Sequence, residues 1–129
     1  MSISKGLIRA DIIAAKQAIE YYDKKQIKDI KNVAAYHLQQ AAEKLLKYQI
    51  YKLLDKTDNS KMYTHDLSRL MDYADSQKLD LVVPDYIRKH ANMITDWEAG
   101  SRYDTGFVVR IDTIKTCYKV IVYWEKIVR

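Results

Sequence analysis

The sequence predicts an all-α protein, an up-and-down bundle of about five helices, and three observations lead to that prediction. Only three Gly and one Pro occur in 129 residues, so few positions break a helix. Apolar residues recur at spacings of three and four along five segments, and no credible pair of strands is present. Mostly short connections separate the segments, which favours antiparallel neighbours. At this length one hydrophobic core is expected, so residues 1–129 are predicted to form a single domain.

The first two helices are predicted over residues 3–23 and 30–54. In the first, Ile8 and Ile12 begin a broad apolar face. The second is the clearest helix of the chain, because one face carries Ala34, Leu38, Ala41, Ala42, Leu45 and Leu53. Between them the polar run at residues 24–31 predicts a turn, although neither Gly nor Pro marks it.

Three further helices are predicted in the second half of the chain. The polar stretch DKTDNSKMYT ends at Thr64, which is expected to cap a third helix over residues 65–77. Pro84 favours the start of a fourth helix, which is expected to end near residue 98. The glycine-bearing segment AGSRYDTG then predicts a loop. Apolar spacing predicts a last helix over residues 107–128, although its β-branched content also allows a strand.

Charge and cysteine content bound the setting of the protein. The net charge of +5 favours phosphate groups or acidic partners, but the basic residues are spread along the chain, as on any solvated helical surface. No run of 18 apolar residues and no signal peptide is recognisable, so a cytoplasmic protein without membrane contact is expected. The single cysteine, Cys117, falls in an apolar stretch and is expected in the core.

A polar stripe runs along the second predicted helix beside its apolar face. Its members fall within about 80° of a helical wheel, and they are His37, Gln40, Lys44, Lys47 and Tyr51. Ammonium groups can bind phosphate, an amide can hydrogen-bond a base or ribose, and rings can stack, so the stripe suits an anionic, planar ligand. An ordinary amphipathic boundary explains the same spacing, with lysine stems covering apolar surface and Glu43 pairing with Lys47.

Other polar residues give weaker signals. The three histidines fall on three predicted helices and form no HxxxH or HExxH pattern, so no metal site is expected. His65, at a helix start, is expected to hydrogen-bond Asp66 or the backbone. Arg102, in the predicted loop, could clamp a phosphate or form an ion pair with Asp104. No acid/base dyad, phosphate loop or GxSxG turn is present, and no cofactor is expected.

Three segments together resemble the HEPN domain family. They are AAYHLQQAAEKLLKYQI at residues 34–50, THDLSRLM at 64–71 and SRYDTGF at 101–107. The residues that match the family pattern are His37, Gln40, Glu43, Lys44 and Lys47 in the first segment, Thr64, His65, Asp66 and Leu67 in the second, and Arg102 and Tyr103 in the third. The order and separation of the segments fit along nearly the whole chain.

The resemblance implies a bundle of about five helices, frequently dimeric, in bacterial proteins that bind nucleotides or RNA. Some members pair with a minimal nucleotidyltransferase in toxin–antitoxin-like systems. Others are metal-independent ribonucleases that use an Arg, four to six further residues and then a His; that spacing does not occur here, so a non-catalytic module is expected. The expected nucleotide-binding residues are His37, Gln40, Lys44, Lys47, His65, Arg102 and Tyr103.

Two other functions stay open. A protein-interaction or dimerisation adaptor without a nucleotide ligand is the first alternative, because the chain carries eleven Tyr, which suit interfaces. A ribonuclease toxin is the second.

Overall fold

The computed structural model of the chain describes residues 2–103 and 106–129. Across these two ranges every regular element is a helix, which confirms the predicted all-α class. In chain order the helices are α1 (Lys5–Lys25), α2 (Lys28–Leu53), α3 (Asn59–Met62), α4 (Leu67–Ser76), α5 (Asp85–Lys89), α6 (Ala91–Tyr103) and α7 (Ile111–Ile127). The predicted helices correspond to α1, α2, α4, α5 with α6, and α7, and α3 is a short addition.

The first two helices pack together as a hairpin. Ser4 caps α1, because its hydroxyl accepts a hydrogen bond from the Leu7 amide at 3.2 Å. The helix ends at Gln26, which takes a left-handed conformation with φ of 55° and donates its amide hydrogen to the Tyr22 carbonyl. The predicted turn is therefore present, and it is shorter than predicted because α2 begins at Lys28.

The central helix is α2, which packs against α1, α4, α6 and α7. Alanines at positions 34, 35, 41 and 42 are fully buried and let neighbouring helices approach closely. Leu38, Leu45 and Leu46 are also buried, and each such side chain stabilises the fold by about 1.5–3 kcal/mol through its removal from water. The clearest helix in the sequence is thus the one that contacts most of the others.

The N-terminus of α4 differs by two positions from the predicted one. Asp66, rather than Thr64, caps the helix, since its carboxylate accepts a hydrogen bond from the Arg69 amide at 3.2 Å. The Thr64 hydroxyl accepts instead from the Asp66 amide at 3.1 Å. The helix therefore begins at Leu67, and His65 lies before it in the connection from α3.

The predicted fourth helix is two helices. Residues 84–98 divide into α5 and α6 at His90. Residues 99–103 continue α6, so the predicted loop over them is wrong. Gly100 suits this helix because the ring of Phe107 lies against it: a Cβ at Gly100 would come within 2.6 Å of the Phe107 Cδ2. Gly100, which indicated a loop in the sequence, is therefore explained by its close contact with the Phe107 ring.

The last helix, α7, settles the choice between helix and strand in favour of helix. It begins at Ile111 rather than at residue 107. Ile114 and Trp124 are fully buried on its inner face. Cys117 is buried between them, which confirms its place in the core, and burial raises the pKa of its thiol to about 12. Of the described helices, none is long and apolar enough to cross a bilayer.

The extended connection between α4 and α5 is fixed by side chains from the core. The side-chain amide of Gln49 donates to the Val82 carbonyl at 3.0 Å, and its oxygen accepts from the Val82 amide at 2.8 Å. The indole N–H of Trp124 donates to the same carbonyl at 2.6 Å. The connection between α4 and α5 is therefore bonded to both α2 and α7.

Candidate functional site

Three carboxylates are buried inside the bundle, one each on α1, α2 and α6. Asp11, Glu43 and Glu98 expose 8%, 6% and 8% of their surface. A buried carboxylate without partners is costly, so each requires cations or hydrogen-bond donors nearby. The donors come largely from the residues that the sequence predicted for ligand binding.

Asp11 holds two members of the predicted stripe. Its Oδ1 lies 2.9 Å from Nδ1 of His37, and its Oδ2 accepts from Nζ of Lys44 at 2.5 Å. Burial acts to raise the pKa of Asp11, but the hydrogen bonds from His37 and Lys44 outweigh it and leave the pKa below its ordinary value. Asp11 is therefore ionised at neutral pH and compensates the charge of Lys44.

Glu43 holds three side chains around its buried carboxylate. Lys47 donates to Oε2 at 2.9 Å, which confirms the predicted pairing of these two residues. His65 places Nδ1 2.8 Å from Oε1, so its ring is bound to Glu43 and not, as predicted, to Asp66 or the backbone. Gln39 donates both to Oε1 at 3.2 Å and to the His65 carbonyl at 2.9 Å, and it accepts from Gln40. These bonds fix His65 from both its ring and its backbone.

Glu98 connects the other side of the His65 ring to α6. The guanidinium of Arg102 donates to the Glu98 carboxylate and, through Nε, to the Glu98 carbonyl at 3.2 Å. His65 Nε2 lies 3.8 Å from the same carboxylate. Arg102 also has a further interaction within the chain. One carboxylate thus joins a histidine of the α3–α4 connection to an arginine at the end of α6.

Tyr36 links these clusters into one set of contacts. The Arg102 guanidinium lies 5.3 Å from the centroid of the Tyr36 ring, and the Tyr36 and His37 rings meet edge-on at 5.2 Å. We call the whole set the polar network. Its members are Asp11, Tyr36, His37, Gln39, Gln40, Glu43, Lys44, Lys47, His65, Glu98 and Arg102.

The structure brings most of the predicted site residues together. Those that belong to the polar network are His37, Gln40, Lys44, Lys47, His65 and Arg102. Tyr51, the last member of the predicted stripe, packs at the edge of the hydrophobic core instead. The side chain of Tyr103, and Asp104 as the predicted partner of Arg102, lie outside the described residues.

The two lysines of the stripe face inward. Lys44 and Lys47 expose 22% and 15% of their side chains, and each is paired with a buried carboxylate. A phosphate at either lysine would have to compete with that carboxylate, which is already in contact. Near His65 the more exposed cations are Arg102, at 40% exposure and paired with Glu98, and Arg69, at 79%. The most exposed positive charge beside His65 is therefore that of Arg69.

An open groove of about 1040 Å³ lies between the start of α4 and α6. We call it the His65 groove, and its lining includes Thr64, His65, Asp66, Arg69, Asp96 and Glu98. The His65 ring exposes 59% of its surface there. The groove is mixed in charge, with Arg69 at the rim and carboxylates along the wall. It can accept hydrogen bonds from a ligand as well as donate them.

Sequence reasoning missed two of the three carboxylates of the polar network, Asp11 and Glu98. A signal for Asp11 was present, because it lies beside Ile12 in the apolar face that Ile8 and Ala15 continue, and a charge on such a face requires a partner. Glu98 gave no comparable signal, since its role depends on α6 continuing to Arg102 through a segment that reads as a loop.

The three histidines form hydrogen bonds or pack against a ring within the part of the chain that the structure describes. His37 and His65 each face a carboxylate, and His90 packs on the Tyr86 ring with centroids 4.4 Å apart. Among the residues described, no group of three or more His, Cys, Asp or Glu is placed to hold a metal ion.

The chain is an all-α helical bundle in which ion pairs connect the central helix to its neighbours. A comparison with family models shows the family to which this bundle belongs. The model of the HEPN domain matches residues 9–129, nearly the whole chain. The chain belongs to the HEPN domain family. The comparisons with curated proteins and with solved structures gave no match.

Proposed function

We propose that this chain is a non-catalytic HEPN module that binds a nucleotide or RNA at the His65 groove. The observation that carries the proposal is the meeting of His65 and Arg102 at Glu98, with more than a third of each side chain exposed. Membership of the HEPN family supports the ligand class. The buried contacts of Glu43 hold His65 in place before any ligand arrives, which lowers the ordering cost of binding.

The charges of the groove suggest where each part of a nucleotide would lie. Guanidinium groups bind phosphate through paired N–H donors, so the phosphates belong at Arg69 in the lining of the groove, with Arg102 next to them through its bond to Glu98. The carboxylates of Asp66 and Asp96 repel phosphate but accept hydrogen bonds from the amino groups of bases. The base therefore belongs in the groove, beside the ring of His65.

Within this proposal, the predicted residues of the polar network divide into three groups. His65 and Arg102 contact the ligand directly. Lys44 and Lys47 hold Asp11 and Glu43, so their part is to position the network and not to bind phosphate. His37 and Gln40 lie one step behind, against Asp11 and Gln39. The ribonuclease spacing of the family is missing from the sequence, and the proposal therefore includes no cleavage.

Binding of a fluorescent ATP or GTP analogue and of a short labelled RNA, measured by anisotropy at several salt concentrations, tests the proposal. We expect Arg69→Ala to weaken binding about tenfold and to flatten its salt dependence, since one phosphate contact is lost. Arg69 is the preferred position because it is exposed, whereas Arg102→Ala also removes a partner of buried Glu98.

Arg9→Ala is the matched control for that experiment. Arg9 is 60% exposed and pairs with Glu125 on α7, so its loss changes the net charge equally while leaving the groove intact. If both variants weaken binding equally, the loss of affinity reflects the lower net charge of the protein and not a contact of Arg69. Failure of the unaltered protein to bind any nucleotide or RNA would remove the proposal.

A second function has an observation of its own. Leu7, Ile13 and Tyr21 on α1 expose 53%, 47% and 48% of their surface and fall within about 120° of one helix face. This apolar face favours an adaptor that docks a second copy of the chain or a nucleotidyltransferase. Light scattering of the protein alone, and after mixing with the product of an adjacent gene, tests it: a monomer that captures nothing contradicts it.

A further inference from the structure

Tyr63 is an aromatic residue that is exposed to solvent although the backbone around it is hydrogen-bonded. Its side chain and backbone together are 92% exposed, more than any other large hydrophobic residue described. The backbone around it is nevertheless fixed, because the Tyr63 amide donates to the Asn59 carbonyl at 2.9 Å and the Thr64 amide donates to the Met62 carbonyl at 3.0 Å. Met62, its neighbour, is buried and anchors the turn. The ring gains little from packing, so the fold gives no reason for an aromatic residue here.

A cavity of about 400 Å³ lies beside this ring. Its lining includes Ser60, Lys61, Tyr63, Thr64, Arg69 and Asp72. Two cations and one carboxylate therefore line the same cavity as an exposed aromatic residue. Cationic side chains next to a free aromatic face are the elements with which proteins bind single-stranded nucleic acid, since the ring stacks on a base and the cations follow the backbone.

This cavity adjoins the His65 groove. Thr64 and Arg69 line both spaces, so the two form one continuous surface around the start of α4. Arg69 stands between them with 79% of its side chain exposed and only a distant contact, 3.7 Å, to Asp66. Its guanidinium can reach a phosphate that links a residue bound in one space to a residue bound in the other.

We propose that the Tyr63 cavity is a second subsite that stacks a base, and that the ligand of the combined surface is a single-stranded polynucleotide with Arg69 on the phosphate between two bound bases. The inference rests on the proposed function and deepens it. A mononucleotide fills the His65 groove alone, whereas a strand of several nucleotides engages both spaces. A duplex does not, because its base faces are already stacked.

The test compares a mononucleotide, a single-stranded RNA hexanucleotide, the same sequence as DNA, and the RNA as a duplex. We expect the hexanucleotide to bind at least tenfold more tightly than the mononucleotide, and Tyr63→Ala to remove about tenfold of that affinity while leaving mononucleotide binding unchanged. Tyr63→Phe should bind as the unaltered protein does, since stacking needs the ring and not the hydroxyl. The RNA and DNA arms identify the natural strand.

Tyr123→Ala is the matched control, because Tyr123 is 58% exposed on α7, away from the cavity. The inference is overturned, with the proposed function intact, if the mononucleotide binds as tightly as the hexanucleotide or if Tyr63→Ala leaves hexanucleotide affinity unchanged. If the unaltered protein binds none of the four probes, both fall. Since Tyr63 contributes little to packing, circular dichroism of Tyr63→Ala should match that of the unaltered protein.

Discussion

His65 is bound to Glu43 by a hydrogen bond of 2.8 Å between its Nδ1 and a carboxylate oxygen, across 22 residues of sequence. With Nδ1 against the Glu43 carboxylate, the other ring nitrogen, Nε2, is turned towards the groove and Glu98. Glu43 is buried while the histidine is more than half exposed. The ring is therefore positioned from inside the bundle and available from outside.

Removal of the buried carboxylate tests that positioning. We expect Glu43→Ala to lower the free energy of unfolding by about 2–4 kcal/mol, because Lys47 loses its buried partner and His65 its anchor. Urea denaturation measures the change. Glu20→Ala is the control, since Glu20 forms only an exposed pair with Lys16 at 3.9 Å and should change stability by less than about 0.5 kcal/mol. Similar losses in both variants would show that the buried network contributes nothing.

The pH dependence of stability tests the Asp11 cluster. The pKa of Asp11 is lowered in the folded protein from 3.8, so its stabilising effect is complete above that pH and is lost as the pH falls through the lower folded value. We expect Asp11→Asn to be less stable than the unaltered protein near neutral pH, and the difference to shrink below about pH 4. Unfolding free energies across acidic pH give the comparison. A difference that stays constant would contradict the assignment.

Gln49 gives a prediction about the α4–α5 connection. Gln49→Leu keeps the volume of the side chain but leaves the Val82 amide without its partner, while Trp124 still satisfies the carbonyl. We expect a loss of about 1–2 kcal/mol in unfolding free energy and faster hydrogen exchange at the Val82 amide. Gln17→Leu, at an exposed position of α1, serves as the control. Unchanged exchange at Val82 would mean that the connection is held by packing alone.

The effect of Gly100→Ala on stability is expected to change sign when the Phe107 ring is removed. Alanine favours a helix over glycine by about 1 kcal/mol, but its Cβ would displace the Phe107 ring, which lies 2.6 Å from that position. We expect Gly100→Ala to lower stability by about 1 kcal/mol in the unaltered chain and to raise it by a similar amount in Phe107→Ala. Thermal denaturation of the double-mutant cycle measures both. The same sign in both backgrounds would exclude the contact as the reason for glycine.

The sequence was sufficient for the helices because local periodicity carries their signal. The face of α2 and the core position of Cys117 follow from spacings of three and four residues, and the structure agrees except at Leu53, which is 52% exposed in the last turn of α2. The end of α6 was missed for a physical reason. Glycine and serine at positions 100 and 101 indicate a loop by propensity, and only the approach of Phe107 explains glycine within a helix.

The site was predictable in its cations and in one of their partners, Glu43, which pairs with Lys47 on the same helix. The stripe of α2 also placed Lys44 on that side, but whether this lysine faces a ligand or a buried acid depends on a contact with another helix. Asp11 is 33 residues from Lys44 in sequence. Such a pairing arises from tertiary packing, which a single sequence does not display, so the sequence left open whether the stripe binds a ligand or forms an ordinary amphipathic boundary.

We propose that a nucleotide or RNA binds this HEPN domain at the His65 groove. Titration of the ¹⁵N-labelled protein with a short single-stranded RNA, followed by the shifts of backbone amides, locates the contact directly. We expect the largest changes at His65, Arg69 and the last turns of α6 around Arg102, with smaller ones beside Lys44. Shifts centred on the outer face of α1 around Leu7 and Ile13, or none at saturating RNA, would contradict the claim.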